Sequence, residues 1–78
     1  MSTEIRIPSL GAGMSEGRLV EWHVQNGASI AQGDVIYSLE SEKTVQEIEA
    51  PAAGTIELIG QPDETYPVGE LIARLATT

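Results

Sequence analysis

The 78-residue sequence contains no cysteine and no phenylalanine, and only four of its residues are basic. The absence of cysteine excludes disulfides, zinc–thiolate sites and thiol nucleophiles. Twelve acidic residues give the chain a formal net charge of −8. Binding to nucleic acid or to an anionic membrane surface requires a basic patch. The composition therefore argues against both kinds of partner.

Long apolar runs and catalytic groups are also missing. No segment approaches the ~20 residues of a membrane span, and the N-terminus lacks the apolar stretch of a signal peptide. His23 is the only histidine, and one histidine without cysteine forms no transition-metal site. A Ser–His–Asp arrangement around His23 would lack a nucleophile-elbow motif, and no helix follows Gly11–Gly13 as a phosphate loop requires. We therefore predict no metal site and no catalytic site.

Short extended segments dominate what is present. The longest stretch without glycine or proline, Asp34–Ala50, does not keep a helical period. It divides into a β-branched and aromatic run, a polar tip and a second strand-like run, as in a hairpin. Trp22 alternates with Val20 and Val24, which favours an inward-facing aromatic side chain. We predict strands near residues 3–7, 17–25, 34–40, 44–50, 54–59 and 70–75, with extended pieces near 28–31 and 64–67.

An internal repeat organises these strands. Gly33–Leu39 matches Gly69–Leu75 at an offset of 36 residues, and Gly17–Leu19 falls on Gly54–Ile56 with one residue's adjustment. Neither half can bury its apolar face alone, so we predict an all-β sandwich of two sheets with approximate two-fold symmetry. Residues 1–78 would form a single domain. Gly33 and Gly69 would supply turn conformations that other residues adopt only with strain.

Lys43 is the only lysine, and the predicted hairpin places it at the tip between the two halves. An amine on a rigid support, without competing amines, suits covalent modification by another enzyme. The alternative is an ordinary surface lysine paired with Glu42 or Glu47. Position alone leaves both interpretations open. The neighbouring acidic residues Glu40, Glu42, Glu47 and Glu49 are most simply a solvated face.

The residues around Lys43 resemble the attachment motif of lipoyl domains, whose pattern is Glu, Ser/Thr, Asp/Glu, Lys and a small residue. Here the motif is Glu40-Ser41-Glu42-Lys43-Thr44, with Thr44 in place of the usual alanine. The resemblance keeps one register over nearly the whole chain. The family's characteristic glycines, 16 residues before and 11 after the lysine, fall on Gly27 and Gly54. Further matches are Ile7–Gly11, Met14–Gly17, Glu21-Trp22, Gly33-Asp34, Glu49–Ile56 and Val68-Gly69.

The resemblance implies a flattened barrel–sandwich of two antiparallel four-stranded sheets and a carrier function. Lipoate would be amide-linked to Lys43 by a lipoyl ligase or an octanoyl transferase. A thiamine-dependent 2-oxoacid decarboxylase would acylate the arm, an acyltransferase would pass the acyl group to coenzyme A, and dihydrolipoyl dehydrogenase would reoxidise the arm. The attachment enzyme would recognise Glu40, Ser41, Glu42 and Thr44, and the structural turn glycines would be Gly27, Gly33, Gly54 and Gly69.

The resemblance also sets expectations for the surroundings. Leu10–Glu16 contains Gly11 and Gly13 and has no strand pattern, so we expect a flexible, exposed loop between the first two strands. The resemblance places this loop beside the hairpin, where it would help the decarboxylase to recognise the domain; the alternative is a passive connector. A location in the bacterial cytoplasm follows, or in the mitochondrial matrix if a transit peptide was removed. A free-standing carrier and the N-terminal domain of a larger acyltransferase are both compatible with the sequence.

Two alternatives belong to other classes. A biotin carrier domain shares the fold and the hairpin lysine, but it usually flanks the lysine with methionine on both sides. Here the neighbours are Glu42 and Thr44. An unmodified interaction module would use the hairpin to contact a partner, with Lys43 as a surface charge.

Overall fold

The computed structural model describes residues 2–11, 13–42 and 44–76, and these residues form eight β-strands. Each predicted strand or extended piece has its counterpart. β2 is shorter than predicted, because the chain bends at His23 and Val24 towards a turn at Gly27. The strands are β1 (Ser2–Arg6), β2 (Glu16–Trp22), β3 (Ser29–Ile30), β4 (Val35–Glu40), β5 (Val45–Glu49), β6 (Gly54–Leu58), β7 (Glu64–Pro67) and β8 (Leu71–Ala76).

The strands form two four-stranded sheets in which every pairing is antiparallel. Their orders are β1-β8-β6-β3 and β5-β4-β2-β7. The molecule measures 36 × 19 × 19 Å, in keeping with two short sheets packed face to face. The prediction of an all-β fold with two four-stranded antiparallel sheets is confirmed.

The first four strands and the last four are equivalent: if β1 is exchanged with β5, β2 with β6, β3 with β7 and β4 with β8, the order of one sheet becomes that of the other. The fold therefore has a pseudo-two-fold axis. Hydrogen bonds repeat with it. The amide of Gly33 donates to the carbonyl of Ala50 at 3.0 Å, and the amide of Gly69 donates to the carbonyl of Ile7 at 2.9 Å. The two glycines have φ values of 92° and 93°, the left-handed region that favours glycine. Both turns therefore precede equivalent strands, β4 and β8, at the offset found in the sequence.

A second pair of equivalent turns contains different residues. The amide of Gly27 donates to the carbonyl of Ile56 at 2.7 Å, and the amide of Asp63 donates to the carbonyl of Leu19 at 2.6 Å. Gly27 has a φ of 87°, and Asp63 has a φ of 68°. One half thus uses glycine in a left-handed conformation where the other half uses aspartate.

The core lies between the sheets, and half of its twelve described residues come from β4 and β8, one central strand of each sheet. Buried pairs related by the offset of 36 are Ile36 and Ile72, and Leu39 and Leu75. Tyr37 is also buried, and its ring centroid lies 5.3 Å from that of Trp22. The core residues are Ile5, Ile7, Leu19, Ile30, Ile36, Tyr37, Leu39, Ala50, Ile56, Ile72, Ala73 and Leu75.

Trp22 packs against this core from a half-buried position at the end of β2. Its indole Nε1 donates a hydrogen bond of 3.0 Å to the carbonyl of Gly60. A bulge between Leu19 and Glu21 shifts the alternation of β2, and this shift turns both Leu19 and Trp22 towards the core. The described residues contain no helix that is long and apolar enough to cross a membrane.

Candidate functional site

The hairpin between β4 and β5 is closed by contacts on both sides of its tip. Glu40 and Val45 are paired across the two strands. Beyond them, the amide of Ser41 donates to the carbonyl of Thr44 at 2.8 Å, and the Ser41 hydroxyl donates to the same carbonyl at 3.3 Å. Lys43, the predicted acceptor, lies outside the described residues. In the sequence, two residues, Glu42 and Lys43, separate Ser41 from Thr44.

The four residues predicted to flank the acceptor lie together at one groove. Glu40 and Ser41 are half-buried, whereas Glu42 and Thr44 are exposed. The opposite wall of the groove is the segment between β1 and β2 together with the start of β2. The groove is lined by Leu10, Gly11, Gly13, Met14, Ser15, Glu16, Gly17, Arg18, Glu40, Ser41, Glu42, Thr44 and Thr65. The hairpin and the loop Leu10–Glu16 therefore share one accessible surface.

The loop is anchored to the core, although the sequence predicted a flexible surface loop. Met14 packs on the core, and its Sδ accepts a hydrogen bond of 3.1 Å from the amide of Leu10. A Cβ atom on Gly17 would lie 2.9 Å from Met14 Cε and 2.8 Å from Leu39 Cδ1. Glycine at this position lets Met14 approach the sheet. Only part of the loop, including exposed Gly11 and Gly13, is available for contacts with a partner.

Arg18 is a site residue that the sequence analysis did not identify. It is the only cationic residue among the described residues that line the groove. Its Nε donates to Glu40 Oε1 at 2.8 Å, and its Nη1 donates to Asp63 Oδ1. These contacts raise the pKa of Arg18, chiefly through the hydrogen bond and charge of Glu40. No local motif reveals this cluster, because it depends on the register that places Arg18 opposite Glu40.

The remaining polar candidates do not form a reactive centre. His23 is exposed, and its Nε2 lies 2.7 Å from the hydroxyl oxygen of buried Ser38. Ser38 is inside β4, where it is paired with Glu21 and Glu47 on the neighbouring strands. A serine within a strand lacks the sharp turn that exposes a nucleophile. The described residues contain no group of three or more His, Asp or Glu side chains that could hold a metal ion.

The four glycines predicted to support turns occupy two kinds of position. Gly27, Gly33 and Gly69 have positive φ values of 87°, 92° and 93°. Gly54 is the first residue of β6 and is paired with Ile30, so it lies in a strand and not in a turn. Its place at the edge pairing of β3 and β6 therefore differs from that of the other three.

Comparisons with known proteins agree on one family. The model of the biotin/lipoyl family, described as biotin-requiring enzyme, matches residues 3–75. The acetyltransferase components of the pyruvate dehydrogenase complexes of Staphylococcus aureus and Staphylococcus epidermidis are 36% and 34% identical to the chain over 76 residues. These matches cover 96% of this chain but 18% of each relative, so the chain spans about a fifth of their length.

A solved structure is similar over the whole fold. The lipoyl domain of the 2-oxoglutarate dehydrogenase complex from Azotobacter vinelandii superposes with a TM-score of 0.79 at 28% sequence identity. The match covers 95% of both chains.

Proposed function

The chain belongs to the biotin/lipoyl-attachment family and has the fold of a lipoyl domain, and we propose that it carries lipoate, amide-linked to Lys43, for a 2-oxoacid dehydrogenase complex. The observation that carries this proposal is the position of the only lysine in the sequence. In the sequence it is one of the four residues, 41–44, that link paired Glu40 and Val45, and the described residues Ser41 and Thr44 on either side are joined by a hydrogen bond.

The chemistry of the chain fits a covalently attached group. Amide formation requires a primary amine whose Nζ attacks an activated acyl carbon, with loss of the activating group and of one proton. Lys43 is the only side chain with such an amine, and the chain has no cysteine thiol to compete for the acyl group. Bound lipoate would supply the disulfide that accepts electrons and an acyl group.

The protein's own part is support and presentation. The hairpin emerges from β4, whose Leu39 is fully buried, so the base of the turn is held by the core. A tethered group on such a base replaces diffusion with a high local concentration at each partner active site. The acidic surface, with a net charge of −8, opposes non-specific association within a large assembly.

The partners and setting follow from the relatives. Because they are components of 2-oxoacid dehydrogenase complexes from bacteria, we infer that this domain serves a decarboxylase, an acyltransferase and a dihydrolipoyl dehydrogenase in the bacterial cytoplasm. The attachment enzyme would be a lipoyl ligase or an octanoyl transferase. The domain itself would contribute no catalytic group to these reactions.

Intact-mass spectrometry after incubation of the chain with lipoate, ATP and a lipoate–protein ligase tests the assignment. We expect one lipoyl group on the native chain and none on Lys43→Arg, which keeps the charge but lacks a primary amine. Lipoylation of Lys43→Arg would overturn the site. A native chain that takes no lipoyl group but gains a biotinyl group from a biotin ligase would instead be a biotin carrier. A chain that neither enzyme modifies would fit an interaction module.

The exposed part of the loop gives a test of the decarboxylase partner. A Cβ atom added at Gly11 would have no neighbour within 4 Å, so we expect Gly11→Trp to keep the fold and to place an indole at the groove. We expect slower reductive acylation of the lipoylated domain by a 2-oxoacid decarboxylase. Gln32→Trp, in the exposed turn before β4, is the matched control. Equal acylation of both variants would mean that the loop does not contribute to recognition.

A further inference from the structure

Arg18 joins three elements at the base of the hairpin. Its guanidinium contacts Glu40 at the end of β4 and Asp63 in the turn before β7, while Arg18 itself belongs to β2. The side chains of Arg18 and Glu40 are 37% and 40% exposed, so the pair remains accessible from solvent. A guanidinium with two carboxylate partners has fewer orientations than one with a single partner.

The second partner is held by its backbone. Asp63 has a φ of 68°, and its amide donates to the carbonyl of Leu19, the residue after Arg18. The equivalent position in the other half is Gly27, which adopts this conformation without a steric penalty. Aspartate in place of glycine supplies a carboxylate to Arg18 at the cost of a less favourable backbone conformation.

This arrangement fixes the direction of the Glu40 side chain. Glu40 lies between Arg18 on β2 and Val45 on β5. Because Arg18 holds Oε1, the carboxylate is directed towards β2 at the groove, while Val45, the neighbour of Glu40 on β5, is 53% exposed. An enzyme that grips the hairpin from the groove meets Glu40 in this orientation, together with Glu42 and Thr44.

We propose that Arg18 is a positioning residue for lipoyl attachment: by holding Glu40 across β2, it sets the carboxylate that the attachment enzyme contacts at the base of the hairpin. This inference rests on the proposed function. Without Arg18, Glu40 would sample several rotamers and would have to be ordered during binding. Ordering one long side chain at an interface costs about 0.5–1.5 kcal/mol, which corresponds to about a two- to twelvefold loss of affinity.

The test compares two arginine variants in steady-state lipoylation with a lipoate–protein ligase, lipoate and ATP. Arg18→Gln is expected to raise the KM for the domain about two- to twelvefold with little change in kcat, because Arg18 does not touch the reacting amine in this proposal. Arg6→Gln is the matched control. Arg6 also pairs with a glutamate, Glu4, at 2.8 Å, but it lies on β1 of the other sheet. Both variants change the net charge from −8 by one unit.

A double-mutant cycle separates action through Glu40 from a general effect. If Arg18 acts through Glu40, Arg18→Gln combined with Glu40→Gln has the same KM as Glu40→Gln alone. Additive losses would overturn the proposal, as would a native KM for Arg18→Gln or an equal KM rise for Arg6→Gln. Thermal unfolding of each variant checks the fold. Should Arg18→Gln not fold, Asp63→Asn removes its second anchor instead, and a raised KM is again expected.

The experiments distinguish an error in the proposed function from an error in the role of Arg18. If the native chain gains no lipoyl mass, the proposed function is wrong. If the native chain is lipoylated but the Arg18 variants behave like the Arg6 control, only the positioning role is wrong.

Discussion

Two equivalent strand pairs of this fold differ in how they are joined. β4 and β5 are consecutive in the chain and are linked through residues 41–44, whereas their counterparts β8 and β1 come from opposite ends of the sequence. The β8–β1 pair runs from Ser2 opposite Ala76 to Arg6 opposite Leu71 without a connecting turn. In this fold, the pairing of β8 with β1 therefore forms without a turn that joins the two strands.

The two edge strands of these pairs, β1 and β5, also differ in how much they are buried. β1 contributes the buried residue Ile5 to the core, and a buried residue follows each strand, Ile7 after β1 and Ala50 after β5. β5 has no buried residue: Ile48 is half-buried, and Val45 is among the most exposed apolar side chains. The β5 edge adds little to the core and leaves its surface to the hairpin. β1 therefore contributes more to the core than β5 does, and the exposed residues of β5 are available for recognition.

The largest effect should come from moving the lysine within the hairpin. Glu42→Lys combined with Lys43→Glu keeps the composition and the net charge, but it moves the amine by one position relative to the hydrogen bond between Ser41 and Thr44. We expect the initial rate of lipoylation, followed by intact mass, to fall by about a hundredfold or more, as small displacements of reacting groups do.

A transplanted lysine sharpens this comparison. Ala76→Lys in the Lys43→Arg background places an amine at the β8–β1 end, where no hairpin presents it. This variant should remain unmodified. A native rate for either the shifted or the transplanted lysine would show that hairpin presentation is not required.

The next effect concerns the central strands, in which Tyr37 of β4 stands where β8 has Ala73. Burial raises the pKa of Tyr37 to about 12, and its hydroxyl has no hydrogen-bond partner among the described residues. An unfolded tyrosine ionises near pH 10, so between pH 10 and pH 12 the unfolded state binds fewer protons than the folded state. The free energy of unfolding should fall by about 2–3 kcal/mol over this interval from Tyr37 alone.

Tyr37→Phe isolates this contribution, because other groups also titrate at high pH. Urea unfolding at several pH values should show a smaller loss for the variant than for the native chain between pH 10 and pH 12. At pH 7, the variant should be equally stable or more stable by up to about 1 kcal/mol, since it buries no unpartnered hydroxyl. Parallel curves for the two proteins would contradict burial of a neutral Tyr37.

The smallest effect tests the two equivalent turns at Gly27 and Asp63. Gly27→Ala should lower the free energy of unfolding by about 1–2 kcal/mol, because a Cβ is unfavourable at positive φ although the surrounding space is open. Asp63→Gly should change stability by less than about 1 kcal/mol, because relief of the backbone offsets the greater freedom of the unfolded chain. Urea unfolding measures both. A stabilised Gly27→Ala variant would mean that the turn does not hold this conformation in solution.

Much of the fold followed from local patterns. The offset of 36 residues located the two Gly-acid turns and the equivalent strands β4 and β8, because glycine adopts the positive φ of these two turns without a steric penalty. The bounds of β2 were less accurate. Its bulge lies in the pairing with β4, and the bend at His23 follows the last residue of β2, Trp22; no short stretch of sequence encodes this pairing.

The functional site also has features that local sequence predicted and features that only the structure revealed. The motif around Lys43 and the family followed from residues close in sequence, and the prediction of the family is confirmed by the comparisons. The attachment itself stays a prediction. Met14 was interpreted as part of a flexible loop, and its packing on Gly17 and Leu39 became evident only in the structure.

The sequence by itself determined the repeat, the turn glycines and the place of a lone lysine between two strands. These depend on the conformational limits of single residues and on alternation along one strand. Only the tertiary structure decided which strands pair and in what register, and hence that Arg18 lies opposite Glu40 with Asp63 at its side. These three residues are separated by more than twenty positions along the chain. Their contact is fixed by the packing of two sheets, because burial of the shared core selects one register among many.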